Sequence, residues 1–137
     1  MAKLHLEIIT PQRVVLNEDV DAVVIPASEG EITVLPEHIP LFTRILPGEI
    51  RYTQGKNQHF MAVQQGFLEV AADSVNILTD YAVRSEEIEV AKVEAAKKRA
   101  EQVLSEKKSN QEIVLAQSAL QKALLELKVA RKRRSSS

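Results

Sequence analysis

Histidines, a pair of acids around a glycine and a crowd of lysines and arginines are the residues of this chain with chemistry to offer. His5, His38 and His59 stand in separate segments, and no HExxH or comparable spacing brings two of them to one metal. There is no cysteine, which removes thiolate metal sites and disulfides together. Glu29 and Glu31 flank Gly30 and offer two carboxylates, but in a turn, where acids are ordinarily solvated surface charge. No GxxxxGK[ST] or GxGxxG cradle is present, and the acidic stretch from Ser28 to Glu31 would repel a phosphate. The expectation is a chain without catalytic residues, metal or cofactor, and not an enzyme. His38 lies between Pro36 and Pro40, which restrict the backbone on both sides of it. It reads either as a structural polar residue or as a contact residue in a fixed loop.

The basic residues are unevenly placed. Within a net charge of -1, residues 1–84 carry a net -5 and residues 85–137 a net +4. A basic arm on an acidic body suits an acidic partner for the arm, and it equally suits a solvated helical surface. Arg131, Lys132, Arg133 and Arg134 have the composition of a nucleic-acid patch, but no aromatic residue accompanies them for base stacking. Nucleic acid is therefore not an expected partner. No long apolar run occurs, so no direct membrane insertion is expected either.

The elements that carry these residues fall into two kinds. All four glycines and all five prolines lie before residue 67, and the last aromatic is Tyr81. The upstream part punctuates itself with turns, and the downstream part is filled with Ala, Glu, Lys, Leu and Gln, which favour helix. Residues 3–9 alternate Leu4, Leu6 and Ile8 against Lys3, His5 and Glu7, the period of a half-buried strand. Further short strands are predicted over Arg13–Leu16, Val20–Ala27, Glu31–Leu35, Leu41–Leu46, Glu49–Thr53, Gln58–Gln64, Phe67–Ala71 and Val75–Leu78, the last continuing toward Val83. About ten strands with a turn every eight to ten residues predict an antiparallel β-sandwich or barrel over residues 1–84.

From Ser85, as N-cap, a helix is predicted to about Glu106, with Val93, Ala96, Ala100, Val103 and Leu104 on one face. Lys107–Asn110 forms the break, with Asn110 as the next cap. A second helix carries Ile113, Ala116, Leu120, Ala123, Leu127 and Ala130 at 3-4-3-4-3 spacing, the seam of a paired helix. Residues 85–137 are thus expected to form an antiparallel two-helix hairpin, ending in a basic tail, 131–137, that frays or is flexible.

From Gly30 to Gly48 the sequence reads GEITVLPEHIPLFTRILPG. This closely resembles the epsilon subunit of bacterial F-type ATP synthases, whose motif there is approximately GExxxLPxHxPLxTxLxxG. Ile9-Thr10-Pro11, Gly66-Phe67-Leu68-Glu69-Val70 and Val75-Asn76-Ile77-Leu78 match as well, and Glu87-Ile88-Glu89 opens the family's C-terminal hairpin. The likeness covers almost the whole chain in order.

The resemblance implies a non-catalytic rotor subunit of the central stalk. Its sandwich would sit against the gamma subunit and the membrane c-ring, with Glu29, Gly30, Glu31 and His38 on the ring contact. Its hairpin would extend toward the alpha and beta catalytic subunits and restrain ATP hydrolysis through Lys97, Lys98, Arg99, Lys122, Lys128, Arg131, Lys132, Arg133 and Arg134. The implied location is peripheral, on the cytoplasmic side of the inner (plasma) membrane, as part of the complex. Some family members bind ATP through a hydrophobic-Asp-x-x-Arg-Ala pattern. Here Ile88, Glu89, Lys92 and Val93 occupy it in degenerate form, and Glu126 follows Lys122 by one turn, so no nucleotide is expected. Apart from the resemblance, a free-standing adaptor whose basic hairpin binds an acidic or nucleic-acid partner is the alternative.

Overall fold

The computed structural model describes residues 3–135, with side chains through Lys132. Alternation sets the inner face of each strand, and the strands follow in this order: β1 (Leu4–Ile9), β2 (Val14–Val20), β3 (Ala22–Ala27), β4 (Gly30–Val34), β5 (Leu41–Ile45), β6 (Gly48–Gln54), β7 (Asn57–Val63), β8 (Gly66–Ala71), β9 (Ser74–Thr79) and β10 (Ala82–Arg84). A single 3-10 turn, Ser85–Glu87, leads to α1 (Val90–Ser105) and α2 (Asn110–Ser135). The chain divides into two compact units between Arg84 and Ser85.

In the first unit the strands form one sheet in the order β10-β7-β6-β3-β5-β8-β9-β1-β2, with β4 paired to β3. Its inner face encloses one core that includes Leu4, Leu6 and Ile8 of β1, Val23 and Ile25 of β3, Ile50 of β6, Met61 of β7, Leu68 of β8 and Ile77 of β9. Burial of such aliphatic side chains is the main stabilising term, at about 1.5–3 kcal/mol each.

The sheet is not wholly antiparallel as expected, because β1 runs parallel to β9 while hairpin-pairing with β2. Alternation fixes which side chains face inward but not which strand lies alongside. β2 extends four residues beyond the predicted Leu16, because Asn17, Glu18 and Asp19 pair in register with Glu7, Leu6 and His5. The strand expected to run from Val75 toward Val83 breaks at Asp80 and Tyr81. Thr79 lies buried there, and its one hydroxyl hydrogen is shared between the carbonyls of Gln64 and Gln65, each 2.9 Å away. The chain then passes from β8 to a new partner, β7.

The second unit departs from expectation at its caps. Ser85 does not cap α1, since its hydroxyl donates to the Glu86 carboxylate instead. The residues after it make a 3-10 turn, and the first α-helical bond, from Val93 N–H to the Glu89 carbonyl, comes four residues later. Ser109, not Asn110, caps α2. Its hydroxyl oxygen accepts the Glu112 N–H at 3.2 Å while the hydroxyl donates to the Glu112 carboxylate at 3.0 Å, a reciprocal cap. The seam holds: Ala116, Ala123, Leu127 and Ala130 are buried, with Ala100 on α1. The backbone of the basic stretch is helical to Ser135 rather than frayed from Arg131. Lys and Arg are good helix formers and are favoured at the negative end of the helix dipole.

Candidate functional site

The β3–β4 hairpin turns on Ser28 and Glu29, between the paired residues Ala27 and Gly30. Gly30 has φ 125°, a conformation that side chains avoid, so glycine is required there. Glu29 is exposed, and Glu31 is ion-paired to Arg51 at 3.2 Å. The turn is tied to the end of β5, where Ser28 N–H donates to the Arg44 carbonyl.

His38 does not join this group. It lies beyond the other end of β4, which spans about 13 Å at 3.3 Å per residue. The segment Leu35-Pro36-Glu37-His38 is a type II turn, closed by His38 N–H on the Leu35 carbonyl, with Glu37 at φ 67° where glycine is usual. The Glu37 N–H donates to the Asp73 carboxylate at 3.0 Å. The His38 Nδ1–H is spent on the neighbouring Ile39 carbonyl at 2.6 Å. The turn explains the fixed loop, and it places His38 at the opposite end of β4 from the Glu29 turn.

A surface absent from the sequence reading lies on the outer face of β5, β8, β9, β1 and β2. Cross-strand register places Arg44 beside Phe67, Phe67 beside Leu78, Leu78 beside Ile9, and Ile9 beside Val14. At about 4.8 Å per strand this row is about 19 Å long. Phe42 joins it diagonally, its ring stacked on Phe67 with centroids 5.8 Å apart. Phe42 is 67% exposed, Leu78 and Val14 54% and Phe67 46%. The next row, Glu69-Asn76-Glu7-Asn17, is polar.

A cavity of about 490 Å³ opens beside the stripe at the strand ends, walled by Ile9, Pro11, Arg44, Phe67, Leu78 and Asp80. Gly66 at its edge has no room for a side chain, since a Cβ would lie 2.0 Å from the Leu78 carbonyl oxygen. This is the same sheet end as the Glu29 turn, because Ala27 of β3 pairs with Ile45 of β5 and Ile45 with Gly66. Apolar residues on the outward phase of strands were the one signal that pointed here.

On the helices, Glu89 and Lys92 are ion-paired to each other at 3.1 Å, both exposed. Glu126, on α2, is buried, and burial raises its carboxyl above the usual range, with Lys122 pulling in the opposite direction. Arg99 is exposed and borders a cavity of about 340 Å³ together with Ala96, Ala100, Glu112, Leu115 and Ala116. Lys98, Lys128 and Arg131 are exposed, and Lys97, Lys122 and Lys132 are half-buried. The Arg133 and Arg134 side chains lie outside the described residues. Among the described residues no cluster of His, Cys, Asp and Glu suits a metal ion, and no helix is long and apolar enough to cross a membrane.

Comparison with known proteins gives the arrangement its relatives. The chain is 46% identical over 130 residues to the ATP synthase epsilon chain of Syntrophobacter fumaroxidans, covering 95% of this chain and 97% of that one. It is 44% identical over 135 residues to the ATP synthase epsilon chain of Dehalococcoides mccartyi, covering 98% and 96%. The fold resembles a chain of the Euglena gracilis mitochondrial ATP synthase, solved as OSCP/F1/c-ring, with a TM-score of 0.66 at 23% identity, over 98% of this chain and 81% of that one. A chain of the Tetrahymena thermophila mitochondrial ATP synthase central stalk and c-ring is similar at a TM-score of 0.59 and 16% identity, over 93% and 96%. Residues 3–85 match the family described as ATP synthase, Delta/Epsilon chain, beta-sandwich domain, and residues 86–131 the one described as ATP synthase, Delta/Epsilon chain, long alpha-helix domain. With both of its units accounted for in that order, this chain belongs to the ATP synthase delta/epsilon chain family.

Proposed function

We propose that this chain is the non-catalytic epsilon subunit of the central stalk of an F-type ATP synthase, with its sandwich unit as the rotor contact and its helices as a regulatory arm. The observation that carries the rotor contact is the exposed apolar stripe from Phe67 to Val14 with Phe42 stacked against it. A single unit rarely leaves stacked aromatics in water, and such a patch marks a protein interface. The gamma subunit is the proposed occupant. The turn Glu29-Gly30-Glu31, at the same sheet end, is the proposed contact with the c-ring. His38 drops out of that contact because it lies at the other end with its Nδ1–H already used.

The arm acts through charge in this reading. Lys98, Arg99, Lys128 and Arg131 are the exposed cations among the described residues assigned to it, and each exposed pair with an acidic catalytic subunit contributes under about 1 kcal/mol, so several act together. The arm is not held by nucleotide. Glu89 and Lys92 neutralise each other, and Glu126 sets a carboxylate one turn from Lys122. Membrane association follows from assembly with the synthase, peripherally and on the cytoplasmic face.

The test is affinity purification of the full chain from its own cells, followed by hydrolysis assays on the recovered complex. The other synthase subunits are expected in stoichiometric yield, and truncation at residue 110 is expected to raise ATP hydrolysis. A chain recovered without gamma would overturn the rotor reading, and unchanged hydrolysis after truncation would remove the regulatory arm.

A further inference from the structure

We propose that Arg44 is a specificity residue of the stalk contact, placed to receive a carboxylate from the surface that covers the apolar stripe. The inference rests on the docking face proposed above and adds to it the chemistry of the partner.

Arg44 closes one end of the stripe, directly across from Phe67. Its backbone is fixed twice, by the β5–β8 ladder and by Ser28 N–H on its carbonyl. The side chain is exposed and lines the cavity at the strand ends. Among the described residues no carboxylate comes within 4.0 Å of its guanidinium, although the Glu29 turn is close by. Asp80 lines the same cavity but receives the Gln65 amide at 3.2 Å. Glu31 is taken by Arg51.

In the free chain the guanidinium is hydrated and needs no partner. Once a surface covers Phe42, Phe67 and Leu78, Arg44 loses water at the rim of an apolar contact. A dehydrated, unpaired guanidinium opposes association, and water or a neutral acceptor compensates it poorly. A carboxylate meets its planar fork in two parallel hydrogen bonds and fixes position along the stripe, which flat apolar contact does not. The partner therefore presents an apolar strip with an acid at one end, and the two ends of the stripe become distinguishable.

Full-length wild type, Arg44→Met, Arg44→Lys, Arg44→Glu and Leu78→Ser are titrated onto the purified alpha-beta-gamma core lacking this chain, at low and high salt. Arg44→Met keeps an unbranched apolar stem and removes the guanidinium and its charge. It is expected to weaken binding roughly 30-fold or more, because the partner's carboxylate is left desolvated. Arg44→Glu weakens it further, and Arg44→Lys recovers part of the loss. The salt dependence of binding flattens in Arg44→Met and is kept in Leu78→Ser, which weakens binding through lost apolar area alone. All four substitutions, at two positions, are surface changes, so thermal midpoints stay near wild type. If Leu78→Ser weakens binding and Arg44→Met binds as tightly as wild type, the docking face stands and the role of Arg44 falls. If Leu78→Ser binds normally, the docking face is wrong and the inference falls with it.

Discussion

Truncating Phe42 to alanine separates folding from docking, because the ring is surface in the free chain. A phenylalanine side chain presents about 200 Å², and Phe42 is 67% exposed, which leaves about 130 Å² for a partner to cover. At about 25 cal/mol per Å² this amounts to about 3 kcal/mol, on the order of 200-fold in affinity. That figure falls among the larger effects found when interface aromatics are truncated. Folding loses much less: the stack on Phe67, with centroids 5.8 Å apart, contributes about 1 kcal/mol. The full-length variant is compared with wild type by thermal unfolding alone and by sedimentation with the alpha-beta-gamma core. A midpoint lowered by only a few degrees together with a dissociation constant raised about 200-fold is the expected pair of results. Undiminished binding would refute the reasoning, since it would place the partner on another face. A collapse of the midpoint would refute it differently, by showing that the ring already supports the fold.

Gly66→Ala is expected to cost at least about 3 kcal/mol, because its Cβ would meet the Leu78 carbonyl oxygen at 2.0 Å and the Thr79 Cα at 2.8 Å, backbone atoms that cannot swing aside; a denaturant midpoint near wild type would count against the tight β8–β9 approach. Glu37→Gly is expected to stabilise by about 1 kcal/mol, since glycine relieves φ 67° while the bond from the backbone N–H to Asp73 survives, and a lower melting temperature would show that the carboxylate contributes. Glu126→Gln addresses pH. The folded carboxyl sits above its unfolded value through burial, so its favourable contribution is complete below the unfolded value and is lost as pH rises through the folded one. The variant should match wild type near pH 4 and exceed it at pH 8, read from helical circular dichroism; a variant less stable at pH 8 would mean that the ionised form is the one held.

Much of the architecture was legible because it rests on local rules. The alternation of Leu4, Leu6 and Ile8 put those residues inside, and every helix lies downstream of the last glycine, proline and aromatic residue. What escaped involves competition between near-equal local choices. Ser85 and Ser109 are both cap residues by type, yet Ser85 turned to the Glu86 carboxylate while Ser109 found Glu112 three residues on. The parallel pairing of β1 with β9 joins segments about seventy residues apart, and period-two patterning carries no partner information.

The site was less legible for a related reason. Sequence reasoning sorts apolar residues inward, and Ile9, Val14, Phe42, Phe67 and Leu78 are apolar. Each occupies the outward phase of its own strand, and in a single strand one such residue is ordinary. Only register reveals that four of them fall in one row and that Phe42 stacks against it. The spacing of the loop residues was harder to read for the opposite reason. Glu29, Glu31 and His38 sit within ten residues of each other, but a strand between them turns closeness in sequence into separation in space, and Arg51 claims Glu31. A contact built from a row across five strands moves with the whole sheet, whereas one built from loop residues yields with the loop. For a subunit proposed to transmit rotation, the stiff row is the better lever, and Arg44 at its end is where charge gives it direction.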